Sequence, residues 1–283
     1  MNYFVFMGGL GNQMFQYAQF YKLNKMNSNF VADLSFYESQ YEKDKQFILD
    51  EVFEGIIIPR DDNSLRRYKL LKHTKLHKLV MSERLFKNIN EKNFCSNMKY
   101  DYCYFKDYWG SETYWNDNKH EIKELFRFKR IINPGMNELM RAITNKTTVS
   151  IHIRRGDYLL KENEALFGGI CTLQYYEKAI AYFEARNMDV QFLVLTNDTQ
   201  WVKENLDSSN MLFVSDYIVD EYPDWYDMYL MTKCDHNIIA NSTFSWWGAY
   251  LNDAAEKIVV TPSRWFKNSN DTSIWPMEWI RIS

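Results

Sequence analysis

Arginine, hydroxyl and amide side chains recur in this sequence where a strand gives way to a turn, and each such place suits an anionic or polyhydroxylated ligand. The sharpest is His152-Ile153-Arg154-Arg155-Gly156-Asp157-Tyr158. Strand alternation puts His152 and Arg154 on one side and Ile153 on the other. At the carboxyl end of a parallel strand, the planar fork of Arg154 can grip a diphosphate through two hydrogen bonds. Elsewhere, two arginines beside Asp157 would form a solvated ion-pair cluster. Asn241-Ser242-Thr243-Phe244-Ser245 opens a helix, and its hydroxyls beside the first N–H groups suit a phosphate. An ordinary N-cap is the competing reading. Thr196-Asn197-Asp198 closes another strand in the same manner. Near the start, Gly8-Gly9-Leu10-Gly11-Asn12-Gln13 joins a strand to a helix. Glycines there admit a ligand close to the backbone, and the amides of Asn12 and Gln13 pair well with sugar hydroxyls. A tight packing turn would look the same in sequence.

The elements that position these turns are clearest in the second half. Strands are expected over 148–153, 190–196, 211–215, 236–240 and 257–261, alternating with helices over 172–187, 199–206, 223–234 and 243–252. Such alternation with short loops builds a parallel sheet covered on both faces. Three polar turns then fall at one edge of one sheet, where ligands bind in open α/β folds. The first half opens alike, with a strand over 3–7, a helix, and a strand over 30–34, before the pattern blurs through a basic helical stretch at 64–88 and an aromatic one at 94–115. Asn133-Pro134-Gly135 is the strongest break between the halves. The expected architecture is α/β, two Rossmann-like domains facing a cleft, with an acceptor-side domain over 1–140 and a donor-binding domain over 141–283.

Composition excludes several classes. A net charge of −3 gives no field to attract nucleic acid. Aromatic residues make up 17 %, high enough to furnish either an aromatic core or sites for flat hydroxylated ligands. Cysteines 95, 103, 171 and 234 have no C-x-x-C spacing and read as buried thiols in a reducing compartment. The opening residues have a short apolar run and no basic region, so they read as a strand and the chain is expected to be cytoplasmic. No P-loop pattern is present. His73 and His77 are spaced as zinc ligands can be, but lack a third ligand. Asp-x-Asp, the metal–diphosphate handle of metal-dependent sugar transferases, is missing, so no metal is expected.

Taken together, GGLGNQMFQYA (8–18), HIRRGDY (152–158) and NSTFSWWGAYL (241–251) resemble the α-1,2-fucosyltransferases of glycosyltransferase family 11. YWGSETYW (108–115) and WYDMYLMTKCDHNIIAN (225–241) agree. Many members carry Arg where this chain has Gly9, so a second cation reaching across the cleft is in doubt. The resemblance implies a GT-B-type enzyme that transfers L-fucose with inversion from GDP-β-L-fucose to O2 of a terminal galactose, without metal or other cofactor. Other acceptor linkages or another GDP-sugar are the alternatives. By the same resemblance, His152 and Asp198, in the turn with Asn197, would face guanine or ribose. Arg154 would hold the diphosphate with Ser245, Ser242 and the backbone near Thr243 and Phe244. Asn12 would reach the fucose from the other domain, next to Gln13. Asp157 and Glu112 are candidate bases. Tyr108, Trp109, Tyr114 and Trp115 are the expected acceptor-side aromatics, because rings stack on sugar faces, with core packing the competing reading for at least half of them. The acceptor would be a galactose-terminated oligosaccharide or a lipid-linked glycan. Between Arg66 and Lys87, basic residues surround an apolar helical face, giving 64–88 a peripheral contact with the inner membrane surface as an alternative to a solvated helix.

Overall fold

The computed structural model describes residues 2–26, 29–38, 45–59, 87–96, 98–143, 146–155, 161–186, 189–206, 209–218, 220–269 and 273–283. Asp157, His73, His77 and nearly all of the basic stretch lie outside these residues. The chain divides into two compact units, Met1–Lys129 and Arg130–Ser283. The division precedes the boundary drawn at 140 because helix Pro134–Ile143 is tied into the second unit: Thr148 Oγ1 donates to the Ile143 carbonyl at 2.7 Å.

In the first unit, β1 (Asn2–Val5), β2 (Phe30–Asp33), β3 (Lys87–Ile89) and β4 (Cys103–Phe105) form a parallel sheet ordered β2-β1-β4-β3. β1 and β2 appear as expected, slightly shorter. β3 and β4 arise in the stretches that carried no strand pattern, and Lys87 and Asn88 sit in β3 rather than in a helix reaching 88. Helix Leu10–Met26 is buried nearly all round, including the glutamines at 13, 16 and 19. Leu, Met, Gln and Ala are strong helix formers, so the helix keeps its form without a polar face. Aromatic rings fill the core beneath: Phe4 lies 5.6 Å from Phe20 and 5.9 Å from both Phe105 and Trp109.

The second unit holds a six-stranded parallel sheet of β5 (Thr147–Ile153), β6 (Val190–Thr196), β7 (Met211–Phe213), β8 (His236–Ile238), β9 (Val259–Pro262) and β10 (Ile280–Ile282). Their order is β10-β9-β8-β5-β6-β7. Numbered from β5, this is the 3-2-1-4-5-6 arrangement of a doubly wound dinucleotide fold. Chain direction along the sheet reverses between β5 and β8, so the crevice that such folds use for ligands opens at their carboxyl ends. β5 alternates polar and apolar residues, yet it is buried from Thr148 onward because both faces of the sheet are covered. All four cysteines are free thiols; Cys103 and Cys234 are buried, but Cys95 is exposed, contrary to expectation. Its neighbours at 90–96 form a polar turn outside the sheet. Among the described residues no helix is long and apolar enough to cross a membrane.

Candidate functional site

A cavity of about 600 Å³ opens at the carboxyl edge of the second sheet. His152, Ile153 and Arg154, the last residues of β5 and the first beyond it, form one wall. Thr196, Asn197 and Thr199, following β6, form another. Phe244 completes the floor, its ring 5.5 Å from the His152 imidazole. Loops after three neighbouring strands therefore converge, as the topology requires. Burial of Tyr176 beneath β5, with its hydroxyl donating to the His152 carbonyl at 3.3 Å, fixes the strand end that presents Arg154.

The two arginines part company here. Arg154 faces the cavity. Arg155 turns aside: its Nε donates to Asp198 Oδ2 at 3.1 Å and its guanidinium lies 4.0 Å over the Trp201 ring. Asp198 does not line the cavity as a nucleotide ligand. Its other oxygen caps the next helix, accepting from the Trp201 N–H at 3.1 Å, because an Asp directly before a helix satisfies amides that have no partner within it. Thr196 and Asn197 are the members of that turn that line the cavity.

Helix Thr243–Tyr250 starts at the cavity floor, and Ser242 occupies its N-cap without a capping hydrogen bond. Ser242 thus lends no support to the reading of this turn as an ordinary cap. Helix starts carry unsatisfied N–H groups and partial positive charge, and Phe244, one residue in, is part of the cavity. Ser245 differs from expectation. It is fully buried, and its hydroxyl is within 3.2 Å of the Ala240 and Ser242 carbonyls, so it braces the turn from below. Asn241 holds the same turn from behind: its Nδ2 donates to the Phe167 and Trp265 carbonyls, and its Oδ1 accepts from Cys171 Sγ.

The remaining wall was not foreseen. Asp220, Glu221, Tyr222, Asp224 and Asp227 line the side opposite Arg154. Tyr222 donates to Asp227 Oδ1 at 2.9 Å. Desolvation pushes the Asp227 carboxyl up to about 7; the Tyr222 hydrogen bond opposes this and the Asp224 charge adds to it. The signal lay in DEYPDWYD (220–227), a cluster of acids and tyrosines around a proline. It falls on a loop and a short helix, where periodicity says nothing.

In the first unit, Asn12 stands at the turn after β1, where Gly8 has φ +80° and any β-carbon would sit 2.5 Å from Asn12 Nδ2. Gln13 is not available to a sugar. It is fully buried, donating to the Gly8 and Gln46 carbonyls and accepting from the Ile48 N–H. Trp109 is likewise core, fully buried against Phe4, Phe94, Phe105 and Tyr114. Glu112 pairs with Lys119 at 3.0 Å. Of the four expected acceptor-side aromatics, Tyr108 alone is exposed; Trp115 is fully buried and Tyr114 partly so.

The second unit is thus a doubly wound nucleotide-binding fold whose cavity joins an arginine fork and an uncapped helix start to an acidic wall. The model of the family described as "Glycosyl transferase family 11" matches residues 1–283, and the chain belongs to that family. It is 31% identical to the O-antigen biosynthesis glycosyltransferase WbnK of Escherichia coli, over 97% of this chain and 98% of that protein. It is 32% identical to an alpha-1,2-colitosyltransferase of Escherichia coli, over 97% and 96%. Galactoside alpha-(1,2)-fucosyltransferase 2 of Pongo pygmaeus is 28% identical, over 87% of this chain and 67% of that one. In fold, the chain is similar to the NodZ alpha-1,6-fucosyltransferase soaked with GDP-fucose, with a TM-score of 0.52 at 13% identity over 88% and 91% of the two chains. The protein is a glycosyltransferase of the GT-B architecture.

Proposed function

We propose that this protein transfers L-fucose from GDP-β-L-fucose to O2 of a terminal galactoside, inverting the donor linkage and using no metal. The observation that carries the donor is the pairing, in one cavity, of Arg154 with the uncapped start of helix Thr243–Tyr250. Breaking the sugar–phosphate bond leaves negative charge on the diphosphate. An arginine fork and aligned N–H dipoles, already in place, stabilise that charge where a metal would otherwise be needed. The acidic wall suits a guanine base, whose N1–H and exocyclic amine are donors that carboxylates accept. Asp227 and Asp224 are the acceptors in this reading, and Phe244 and His152 offer ring faces. The galactoside and the α-1,2 linkage draw support from the primate relative, and the setting in polysaccharide synthesis from the O-antigen relative. Attack comes from the face opposite GDP, and Asp157 is the candidate base. Glu112, the other candidate, is held in an ion pair with Lys119.

The second reading replaces fucose by colitose, and rests on the 32% identity with the colitosyltransferase. A panel of GDP- and UDP-linked sugars, colitosyl donor included, offered with lactose and excess chelator, separates the two. Fucosyl-lactose from GDP-fucose is the expected product. Product from the colitosyl donor alone would favour the second reading, and a requirement for added metal would overturn the leaving-group chemistry.

A further inference from the structure

β4 ends at Phe105, and the next residues run along the carboxyl edge of the first sheet, beside the turn after β1. Gln16 joins the two edges. Its Oε1 accepts from the Met7 N–H at 2.9 Å, and its Nε2 donates to the Asp107 carbonyl at 3.4 Å. Tyr108 therefore directly follows the residue that Gln16 ties to the end of β1.

Its backbone is held with unusual firmness for a loop. Trp109 takes φ +57°, a left-handed conformation that a bulky residue adopts only under constraint. The constraint is visible: the indole is sealed in the core, and the Gly110 N–H donates to Glu91 Oε1 at 2.9 Å. Asp107 holds the other side, accepting from the Tyr108 and Glu91 N–H groups. The strain in Trp109 buries one ring and turns its neighbour outward. Tyr108 is 49% exposed, whereas Phe105, Trp109 and Trp115 are fully buried. A rigid, outward phenol can cover the apolar face of a pyranose.

We infer that Tyr108, braced by Trp109, is the platform on which the acceptor pyranose stacks, and that it sets acceptor affinity without touching the donor. The inference rests on the fucosyltransferase reading. The test measures, for wild type and for Tyr108→Ala, Tyr108→Phe and Tyr108→Trp, both fucosyl transfer to lactose and hydrolysis of GDP-fucose in the absence of acceptor. Losing one stacked ring is expected to raise the KM for lactose about tenfold in Tyr108→Ala. Hydrolysis of GDP-fucose and the melting temperature should stay at wild-type values. The Phe and Trp variants should keep most of the affinity, since they keep the ring. An unchanged lactose KM in Tyr108→Ala, or a parallel loss of donor hydrolysis, would overturn the platform. Wild-type protein that neither transfers nor hydrolyses fucose would overturn the functional reading beneath it, a failure visible before any variant is made.

Discussion

Adjacent residues with the same side chain do different work here. Arg154 lines the cavity while Arg155, one position on, is tied to Asp198 and laid over Trp201. The sequence identified Arg154 because a strand end projects alternate residues to one side, and the geometry agrees. Ser245, Gln13 and Trp109 are buried and Asp198 caps a helix for a shared reason. Hydroxyls, amides and rings that suit a sugar nucleotide also suit the buried backbone groups and cores that hold a site in shape, and residue type alone does not separate the two uses. Removing the Arg154 fork should lower kcat by ~10²–10³, as for other donors aimed at a developing oxyanion, with little change in melting temperature. Steady-state kinetics and a thermal melt on Arg154→Ala check both. Arg154→Lys should recover only part of the rate, because an ammonium offers a point charge in place of a planar fork.

Among elements, the helix that begins at the cavity floor is set by its packing on helix Trp225–Met231. Gly248 is the contact point: a β-carbon there would lie 2.6 Å from Met231 Sδ and 2.9 Å from Met231 Cβ. Overpacking costs ~1–3 kcal/mol, set against the ~1 kcal/mol that alanine gains over glycine in a helix. Gly248→Ala is therefore expected to lower the unfolding free energy by roughly 1 kcal/mol. Denaturant titration measures this, and GDP affinity should weaken as the helix start shifts. The second sheet was legible in the sequence because strands and helices alternate there over short loops and β6 is a nearly continuous apolar run. β3 and β4 were not, since three residues give no period to read and their pairing depends on partners far along the chain. The acidic wall escaped for the same reason.

At the scale of the whole molecule, the aromatic surplus has mostly a packing origin. Phe4, Phe20 and Phe105 fill one unit, and Trp246, Trp247 and Tyr250 fill the other, so composition foretold the cores better than the site. Two titrating groups shape stability against pH in opposite senses. Asp227 holds its proton up to about 7 when folded, against 3.8 for a free carboxyl, so its contribution is complete in acid and is lost as pH rises through 7. Burial lowers the His236 pKa below 6.5, so its contribution is complete above that value and is lost as pH falls. Asp227→Asn should therefore lessen the fall in melting temperature between pH 3.8 and about 7. GDP affinity should run the other way, rising through neutrality as Asp227 ionises to accept from the base. Thermal melts and calorimetric GDP titrations across pH measure the two trends. The brace behind the phosphate turn carries one more consequence. Asn241 heads an Asn-Ser-Thr triplet, the acceptor pattern for N-linked glycans, yet its amide is buried and both of its side-chain atoms are already bonded. In a secretory host, where glycans are attached to nascent chains, sugar added at Asn241 would occupy the amide the fold requires, so folded protein from such a host must be the fraction that escaped modification there.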